Sequence, residues 1–236
     1  MGCENGEWIM RGVAEDDPRC IKSADELIEH IDKVGILPLF RNEISDFSVE
    51  ERTVAEHWWS GDIERDPWEW RGVIARSGKV AYGKFFHGKA CYISLKWLPY
   101  FINFRRDGYD FDSRHDEGLV PHKLAGIMEC FEDGTEQYTY ELKAKLSGEK
   151  YLDAALGELQ MQTYLVIRDF RQRLNKKGLP YGWAIAVYAT PESIWGSDFV
   201  TSAYCEEPEE SRGRIVSLIG SRHPELSEKD ILKALK

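Results

Sequence analysis

Between residues 121 and 190 the pattern of apolar residues changes from helical spacing to one typical of strands, and this change limits the folds open to the chain. Apolar residues first recur at helical spacing in three short segments, and the composition of residues 163–167 is then that of a strand. Gly178 and Pro180 mark a tight turn before a second strand over residues 183–188. Three short helices followed by a two-stranded hairpin is the order of a winged-helix unit, which most often places its third helix on nucleic acid. We therefore predict a winged-helix domain in this region.

Helix-capping and helix-terminating residues give the boundaries of the three helices. Pro121 suits the first turn of the first helix, and Gly134 stands where that helix should stop. Thr139 is the predicted cap of the second helix, which Gly148 ends. The third helix is predicted to run from residue 151 to about residue 162 and to pass directly into the first strand.

The predicted hairpin is rich in cations. Asp169 is the only acidic residue between positions 168 and 177, a stretch that we interpret as the loop, or wing, of the unit. Two lysines of the second helix extend this basic surface. The predicted nucleic-acid-binding residues are Lys143, Lys145, Arg168, Arg171, Arg173, Lys176 and Lys177. An ordinary solvated hairpin would carry the same residues, so that alternative stays open.

The overall charge of the chain opposes nucleic-acid binding. Lys and Arg number 31 against 41 for Asp and Glu, which gives a formal net charge of -10. Long-range attraction to a phosphate backbone is therefore absent, and only a localised basic face could bind DNA, weakly and with a strong dependence on salt. The alternative is a protein-interaction module, with a protein partner docked on the acidic stretch 192–210, which contains no Lys or Arg.

The N-terminal half carries further helix and strand signals. Ser23 and Glu26 form a capping-box pattern that predicts a helix ending at Gly35. A second helix, ending near residue 59, is predicted to begin either at Ser48 with Glu51 or at Thr53 with Glu56. Residues 70–93 have the composition of a small antiparallel meander.

More helices are predicted downstream of the meander. Ser94 is the predicted cap of a helix over residues 95–106, and a charged loop follows over residues 107–118. Beyond the winged-helix unit, residues 191–199 start a run of trailing helices.

These elements predict an α+β fold. N-terminal helices with a small antiparallel β meander are followed by a C-terminal winged-helix unit with trailing helices. The charged loop before Pro121 is the predicted boundary. It divides the chain into an N-terminal extension (1–22), a tryptophan-rich α+β domain (23–118) and a winged-helix domain with C-terminal helices (119–236).

Aromatic and titratable residues concentrate around positions 57–71. If the helix and the meander meet, these side chains could form a pocket that stacks a base, with Glu69 or His57 as the candidate catalytic group. The alternative is that the tryptophans fill the core of a small domain, which is the commoner use of such residues. The predicted pocket residues are Trp58, Trp59, Trp68, Trp70, Arg71, Arg105, Arg106 and Tyr109.

The sequence predicts no metal site and no cofactor. The acidic residues between 110 and 117 lack the glycine and terminal glutamate of a calcium loop, so a solvated loop is expected there. The 5 cysteines are widely spaced and never form a Cys-x-x-Cys pair, as is typical of reduced thiols. No apolar run approaches the ~20 residues that cross a bilayer, so no membrane partner and a cytoplasmic location are expected.

Several segments resemble a known family. They are GILPLFRN (35–42), DPWEWRG (66–72), AYGKFF (81–86), FRRDGYD (104–110), LQMQTY (159–164) and PYGW (180–183). With these segments the chain resembles the winged-helix AlkZ/YcaQ DNA glycosylases, and specifically their shorter AlkZ-related set, over nearly its whole length.

The resemblance implies DNA binding and a link to alkylation repair. In the full-length enzymes it implies hydrolysis, without a cofactor, of the bond between an alkylated base and its sugar. Those enzymes stack several winged-helix units, which a chain of this length cannot reproduce, so catalysis stays open. Gln160 and Gln162 resemble the enzymes' catalytic pair in spacing only. They lie at the end of the third predicted helix, and we interpret them as helix-end residues.

Overall fold

The computed structural model describes residues 2–4, 7–146 and 150–235. A short antiparallel hairpin, β1 (Gly2–Glu4) and β2 (Glu7–Ile9), precedes the first helix. Gly148, the predicted end of the second winged-helix helix, lies outside the described residues.

The helix predicted between Ser23 and Gly35 is confirmed, with both of these residues as its caps. Helix α1 (Ala24–Val34) begins after Ser23, whose hydroxyl accepts the backbone N–H of Glu26, and it ends at Gly35. Gly35 has a φ of 85°, a conformation that favours glycine, and a Cβ there would lie 2.6 Å from the side chain of Leu218. Local capping chemistry therefore fixes both ends of α1.

The helix predicted over residues 48–59 is absent. Two single 3-10 turns, Glu50–Arg52 and Ala55–His57, occupy this segment. The Glu51 carboxylate turns back to accept the backbone N–H groups of Asp46 and Phe47 and the hydroxyl of Ser48. The backbone between the turns is extended at Thr53, so the helix does not propagate.

The predicted meander exists only in its second part. Strands β3 (Ile36–Pro38), β4 (Val80–Phe86) and β5 (Lys89–Ser94) form an antiparallel sheet in the order β3-β5-β4. Residues before β4 form helix α2 (Pro67–Ser77) instead of a strand, because Asp66 caps its N-terminus and Gly78 ends it.

Two helices follow the β3-β5-β4 sheet. Helix α3 (Leu98–Arg106) starts three residues later than predicted, with Trp97 rather than Ser94 at its N-cap. Helix α4 (Phe111–Asp116), capped by the Asp110 carboxylate, lies inside the segment predicted to be a loop.

The region from residue 121 contains the predicted three helices and hairpin, with an additional short strand. Its elements are α5 (His122–Met128), a 3-10 turn (Glu129–Phe131), β6 (Gln137–Tyr138), α6 (Thr139–Lys145), α7 (Leu152–Met161), β7 (Val166–Leu174) and β8 (Pro180–Ala189). The strands form an antiparallel sheet in the order β6-β8-β7.

Two details of this region differ from prediction. Tyr138 occupies the N-cap position of α6, and Thr139 is its first helical residue. The stretch 168–177, predicted to be a loop, is mostly strand, because β7 continues to Leu174 and pairs with β8 as far as Pro180. The hairpin is therefore longer, and its turn shorter, than the sequence indicated.

The chain ends in the trailing helices. They are α8 (Pro191–Trp195), α9 (Ser197–Val200), α10 (Pro208–Gly220) and α11 (Glu228–Ala234). The predicted helix over 191–199 is thus two short helices, which Gly196 separates with a φ of 83°.

Two hydrophobic clusters hold the described elements together. One includes Trp70, Tyr92 and Leu156, and so joins α2, the β3-β5-β4 sheet and α7. The other includes Phe101 and Ile215 and lies between α3 and α10. These helices on small antiparallel sheets confirm the α+β class, while the domain boundary at residues 118/119 stays a prediction. Among the described residues, no helix is both long enough and apolar enough to cross a membrane.

Candidate nucleic-acid interface

The far half of the β7-β8 hairpin projects into solvent. Every residue from 171 to 184 is exposed, and we call this segment the hairpin arm. It contains no Asp or Glu, whereas the whole chain carries a formal net charge of -10. The arm is therefore a cationic, solvent-exposed element on an anionic protein.

A buried carboxylate neutralises the root of the hairpin. Asp169 lies on β7 with 3% of its side chain exposed, and it accepts hydrogen bonds from Arg76 at 2.7 Å and from Arg171 at 2.5 Å. Glu136 lies 2.9 Å from Arg171 on its other side. A hydrogen bond to Tyr138, together with those to Asp169, raises the pKa of Arg171 above its ordinary value. Arg171, although 42% exposed, is thus paired with acids at the root of the hairpin.

Arg168 also has a structural role. One of its terminal nitrogens, Nη1, donates to the backbone carbonyls of Ala75 and Arg76 at 2.6 and 2.7 Å. These carbonyls belong to the last turn of α2, which carries partial negative charge. Arg168 therefore caps a helix from another part of the sequence and lies 3.7 Å from Glu136.

The two lysines of α6 have local partners. The ammonium group of Lys143 lies 3.6 Å from Asp153 at the start of α7, and both side chains are largely exposed. Lys145 donates to the amide oxygen of Gln137 at 2.8 Å. Neither contact fixes its lysine strongly, since exposed pairs of this kind contribute little.

The outer cations of the arm have no acidic partner among the described residues. The guanidinium of Arg173 lies 4.8 Å from the ring centroid of Tyr140. Lys176 and Lys177 occupy the turn, which Asn175 stabilises by accepting the backbone N–H groups of Lys177 and Leu179. These three residues are therefore available to an external anion.

The arm also exposes large apolar side chains. Their exposed fractions are 65% for Leu174, 57% for Leu179, 50% for Tyr181 and 89% for Trp183. The sequence analysis used the PYGW segment for the turn, the start of the second strand and the family resemblance, and it missed the exposure of Trp183. Gly182 between the two aromatic residues was the available signal, because an isolated glycine within a strand often marks a bulge.

Three of the predicted pocket tryptophans lie together. Trp58, Trp59 and Trp68 are in mutual ring contact or in contact with Phe40, at centroid distances from 5.6 to 6.3 Å. Trp58 is buried and donates its indole N–H to Thr53 at 2.9 Å. These rings pack on one another, with Trp58 buried and Trp59 45% exposed.

The fully buried carboxylate of Asp66 organises this aromatic cluster. It accepts the backbone N–H groups of Trp59, Gly61 and Trp68 at 3.1, 3.0 and 2.8 Å. Trp70 is buried separately, with its indole N–H on the carbonyl of Glu64 at 3.2 Å. Asp66 thus links the start of α2 to the preceding loop.

Arg71 joins the aromatic cluster to the root of the hairpin. Its guanidinium lies 3.1 Å from the ring centroid of Trp68 and 4.6 Å from that of Phe170 on β7. The two regions that the sequence singled out, the tryptophan-rich segment and the basic hairpin, are therefore neighbours.

The candidate catalytic residues do not share one site. Glu69 is exposed on α2. His57 lines a separate cavity of about 330 Å³ with Cys20 and Arg65. Glu69 does not line this cavity.

The remaining predicted pocket residues lie elsewhere. Arg105 donates to the carbonyls of Phe85 and Leu235, and burial lowers its pKa to about 10. Arg106 is fully buried against Glu192. Burial alone would lower the pKa of Arg106, but the charge and the hydrogen bond of Glu192, with smaller contributions from Tyr204 and Tyr164, together raise it.

Tyr109 lies near Arg106 but outside the tryptophan cluster. Its hydroxyl group donates to Glu117 at 3.0 Å, and its backbone carbonyl accepts the hydroxyl groups of Tyr164 and Tyr204. The eight residues predicted to form one pocket are thus divided among separate regions.

A cavity of about 690 Å³ opens between α4, α5 and α8. Acidic side chains line it, among them Asp110, Asp112, Glu129 and Glu192, together with His115. Within the described residues, no three His, Cys, Asp or Glu side chains are arranged to hold a metal ion.

Residues 21–236 match the family model described as AlkZ related. The chain belongs to the AlkZ-related family. Among solved structures it is similar to the Streptomyces sahachiroi DNA glycosylase AlkZ, with 12% identity and a TM-score of 0.43. That similarity covers 86% of this chain and 52% of the glycosylase, so the chain spans about half of its length. No curated protein matches the chain.

In this AlkZ-related protein, the Gln160 side chain connects two elements. It is fully buried, donates to the carbonyl of Leu156 at 2.8 Å and accepts the backbone N–H of Lys84 at 3.1 Å. Gln162 follows the last turn of α7. The buried amide of Gln160 satisfies backbone groups of α7 and β4, a structural role consistent with a helix-end residue.

Proposed function

We propose that this AlkZ-related chain is a DNA-associated protein in which residues 121–189 form a winged-helix unit. The order of helices α5, α6 and α7 around β6, followed by the β7-β8 hairpin, supports this interpretation. The sheet order β6-β8-β7, in which the two long strands of the hairpin are neighbours, supports the assignment of this hairpin as the wing. Membership of the AlkZ-related family supports a link to DNA repair.

The arm, rather than the third helix, is the proposed contact with DNA. Helix α7 has no Lys or Arg, and its acids Asp153 and Glu158 pair with lysines of other helices, so it offers no cation of its own to a phosphate backbone. The arm has the opposite character. Arg173, Lys176 and Lys177 extend from it without acidic partners among the described residues. This contrast is the observation that carries the proposal.

The expected binding is weak and sensitive to salt. Each phosphate that a cation neutralises contributes about 0.9 to the slope of log K against log salt on duplex DNA. Three such contacts give a slope of about -3, much shallower than that of a strongly basic DNA-binding protein. The negative charge of the whole chain lowers the affinity further.

Fluorescence anisotropy with a labelled duplex at low salt tests the proposal. A variant with Arg173, Lys176 and Lys177 all replaced by Ala should lose most binding, and its salt slope should fall toward zero. The matched control replaces Lys79, Lys96 and Lys229 by Ala, which removes the same charge from exposed positions on the body. Equal losses in both variants, or no binding by the unaltered protein, would contradict the proposal.

Base excision is a separate question for the same protein. We assign no catalytic residue, because Glu69 and His57 face different surroundings. An assay of methylated-base release with the unaltered chain and with Glu69→Gln decides the matter. Equal release by both proteins would remove Glu69 from consideration.

The protein-interaction alternative receives less support from the structure. Three acids of the stretch 192–210 already have internal partners: Glu192 pairs with Arg106, Glu206 with Arg214 and Glu209 with Arg212. If no oligonucleotide binds, this acidic stretch is the next surface to test with protein partners.

A further inference from the structure

Trp183 is unusually exposed for a large aromatic residue, which indicates a binding role. Its side chain is 89% exposed, the largest fraction of any large hydrophobic side chain in the described residues. Tyr181, two residues earlier, is 50% exposed. Aromatic side chains of this size normally bury 150 to 250 Å² on folding or on binding. The fold of this chain does not bury Trp183.

A bulge in β8 determines how Trp183 is presented. Arg173 pairs with Tyr181 and Arg171 pairs with Ile185, so residues 182–184 lie opposite Gln172 alone. The amide of Gln172 donates to the carbonyl of Gly182 at 2.9 Å, and Gly182 has a φ of 72°. Bulges change the direction of a side chain relative to the sheet and are frequent at functional sites.

The chemistry around Trp183 favours one class of occupant. The arm combines a flat aromatic side chain with Arg173, Lys176 and Lys177, and it contains no acidic residue. An aromatic platform beside cations suits a strand of nucleotides, since the ring stacks on a base while the cations contact phosphates. An apolar protein surface would not use the cations.

Stacking on Trp183 also distinguishes between forms of DNA. In a continuous duplex both faces of each base are covered by neighbouring bases, so an indole gains nothing without unstacking them. An unpaired or displaced base has a free face, so the indole can stack on it without the cost of separating it from neighbouring bases.

We propose that the hairpin arm binds unpaired nucleotides by stacking a base on Trp183. The inference rests on the DNA association proposed above and adds the form of DNA that the arm selects. It needs neither catalysis nor the third helix.

Affinity measurements on matched oligonucleotides test the inference. We would compare a labelled single strand, the blunt duplex of the same sequence, and that duplex with an unpaired three-nucleotide bulge. The unaltered protein should prefer the single strand and the bulged duplex. Trp183→Ala should weaken both by about tenfold and leave blunt-duplex binding unchanged, while Trp183→Phe should keep most of the preference.

The exposure of Trp183 makes these variants informative, because removing an exposed ring should not disturb folding. Trp59→Ala is the matched control, since Trp59 is 45% exposed on the body. Unchanged single-strand binding by Trp183→Ala, or a loss with Trp59→Ala in its place, overturns the inference. Binding to anionic phospholipid vesicles that depends on Trp183, without binding to oligonucleotides, also overturns it.

Failure of the inference and failure of the proposed function look different. If the arm binds duplex DNA through its cations but shows no preference for unpaired nucleotides, only the stacking role is lost. If no oligonucleotide binds, both proposals fail.

Discussion

The root and the outer part of the β7-β8 hairpin contain the same type of residue in opposite circumstances. At the root, Arg168 and Arg171 contact carbonyls and carboxylates, and Asp169 is buried between two arginines. In the outer part, Arg173 and Lys177 have no acidic neighbour among the described residues. A basic stretch in a sequence therefore need not form one binding surface, because a single buried acid can pair with some of its cations and leave only the others free.

The largest expected effect is on the root. Asp169→Asn removes the carboxylate that Arg76 and Arg171 share, and it leaves two guanidinium groups facing each other. We expect the free energy of unfolding to fall by about 2 to 3 kcal/mol, below the full cost of breaking a buried pair because both arginines are partly exposed. Urea denaturation measures this change. Asp133→Asn, an exposed control, should change it by less than about 0.5 kcal/mol.

The next effect concerns the packing that joins the hairpin to the body. Phe170 contacts Tyr82 at a centroid distance of 5.9 Å and lies 4.6 Å from the guanidinium of Arg71. Because Phe170 is only half-buried, Phe170→Ala should destabilise the protein by about 1.5 to 2 kcal/mol, less than a fully buried ring would. If urea denaturation shows no change, Phe170 does not anchor the hairpin.

A smaller effect separates two neighbouring arginines. Arg171→Ala removes ion pairs to Asp169 and Glu136 and should lower the free energy of unfolding by about 1 kcal/mol. Arg173→Ala loses only an exposed contact with Tyr140, and a change of less than about 0.5 kcal/mol is expected. For DNA affinity the order should be reversed, with Arg173→Ala weakening binding more than Arg171→Ala. Equal effects on binding would remove the distinction between root and outer part.

The smallest effect on stability is expected at the turn. Joint replacement of Lys176 and Lys177 by Ala should leave the free energy of unfolding within about 0.5 kcal/mol of its original value.

Trypsin should cleave the folded protein first at these two residues, since they occupy an exposed turn. Mass analysis of the early fragments checks this, and earlier cleavage within the body would contradict the proposed exposure of the arm.

The sequence predicted best those elements that are specified locally. Helix α1 was predicted with both ends because Ser23, Glu26 and Gly35 act within one segment. The hairpin was recognised from its composition and its turn residues. By contrast, residues 70–77 of α2 were predicted to be strand from the β-type composition of residues 70–93, although Asp66, Pro67 and Gly78 mark the two ends of a helix.

The candidate site was harder to predict because its contacts are distant in sequence. Arg168 contacts carbonyls 92 and 93 residues away, and no spacing rule shows such a partner. The pocket prediction grouped Arg105 and Arg106 with the tryptophans by character alone, whereas each is buried against a different part of the chain. Tertiary packing decides which charges stay free.

Gly182 has a consequence for how relatives of this protein should be compared. Gly182 directly precedes Trp183 within the bulge of β8 and has a positive φ of 72°, so the backbone from which the indole extends has a conformation that favours glycine. Substituting Gly182 with alanine should cost about 1 kcal/mol locally and rotate the indole away from its present orientation, even though no atom is close enough to clash. A relative that keeps this glycine but carries a different flat ring after it would preserve the display, so the glycine is the better marker of the shared trait.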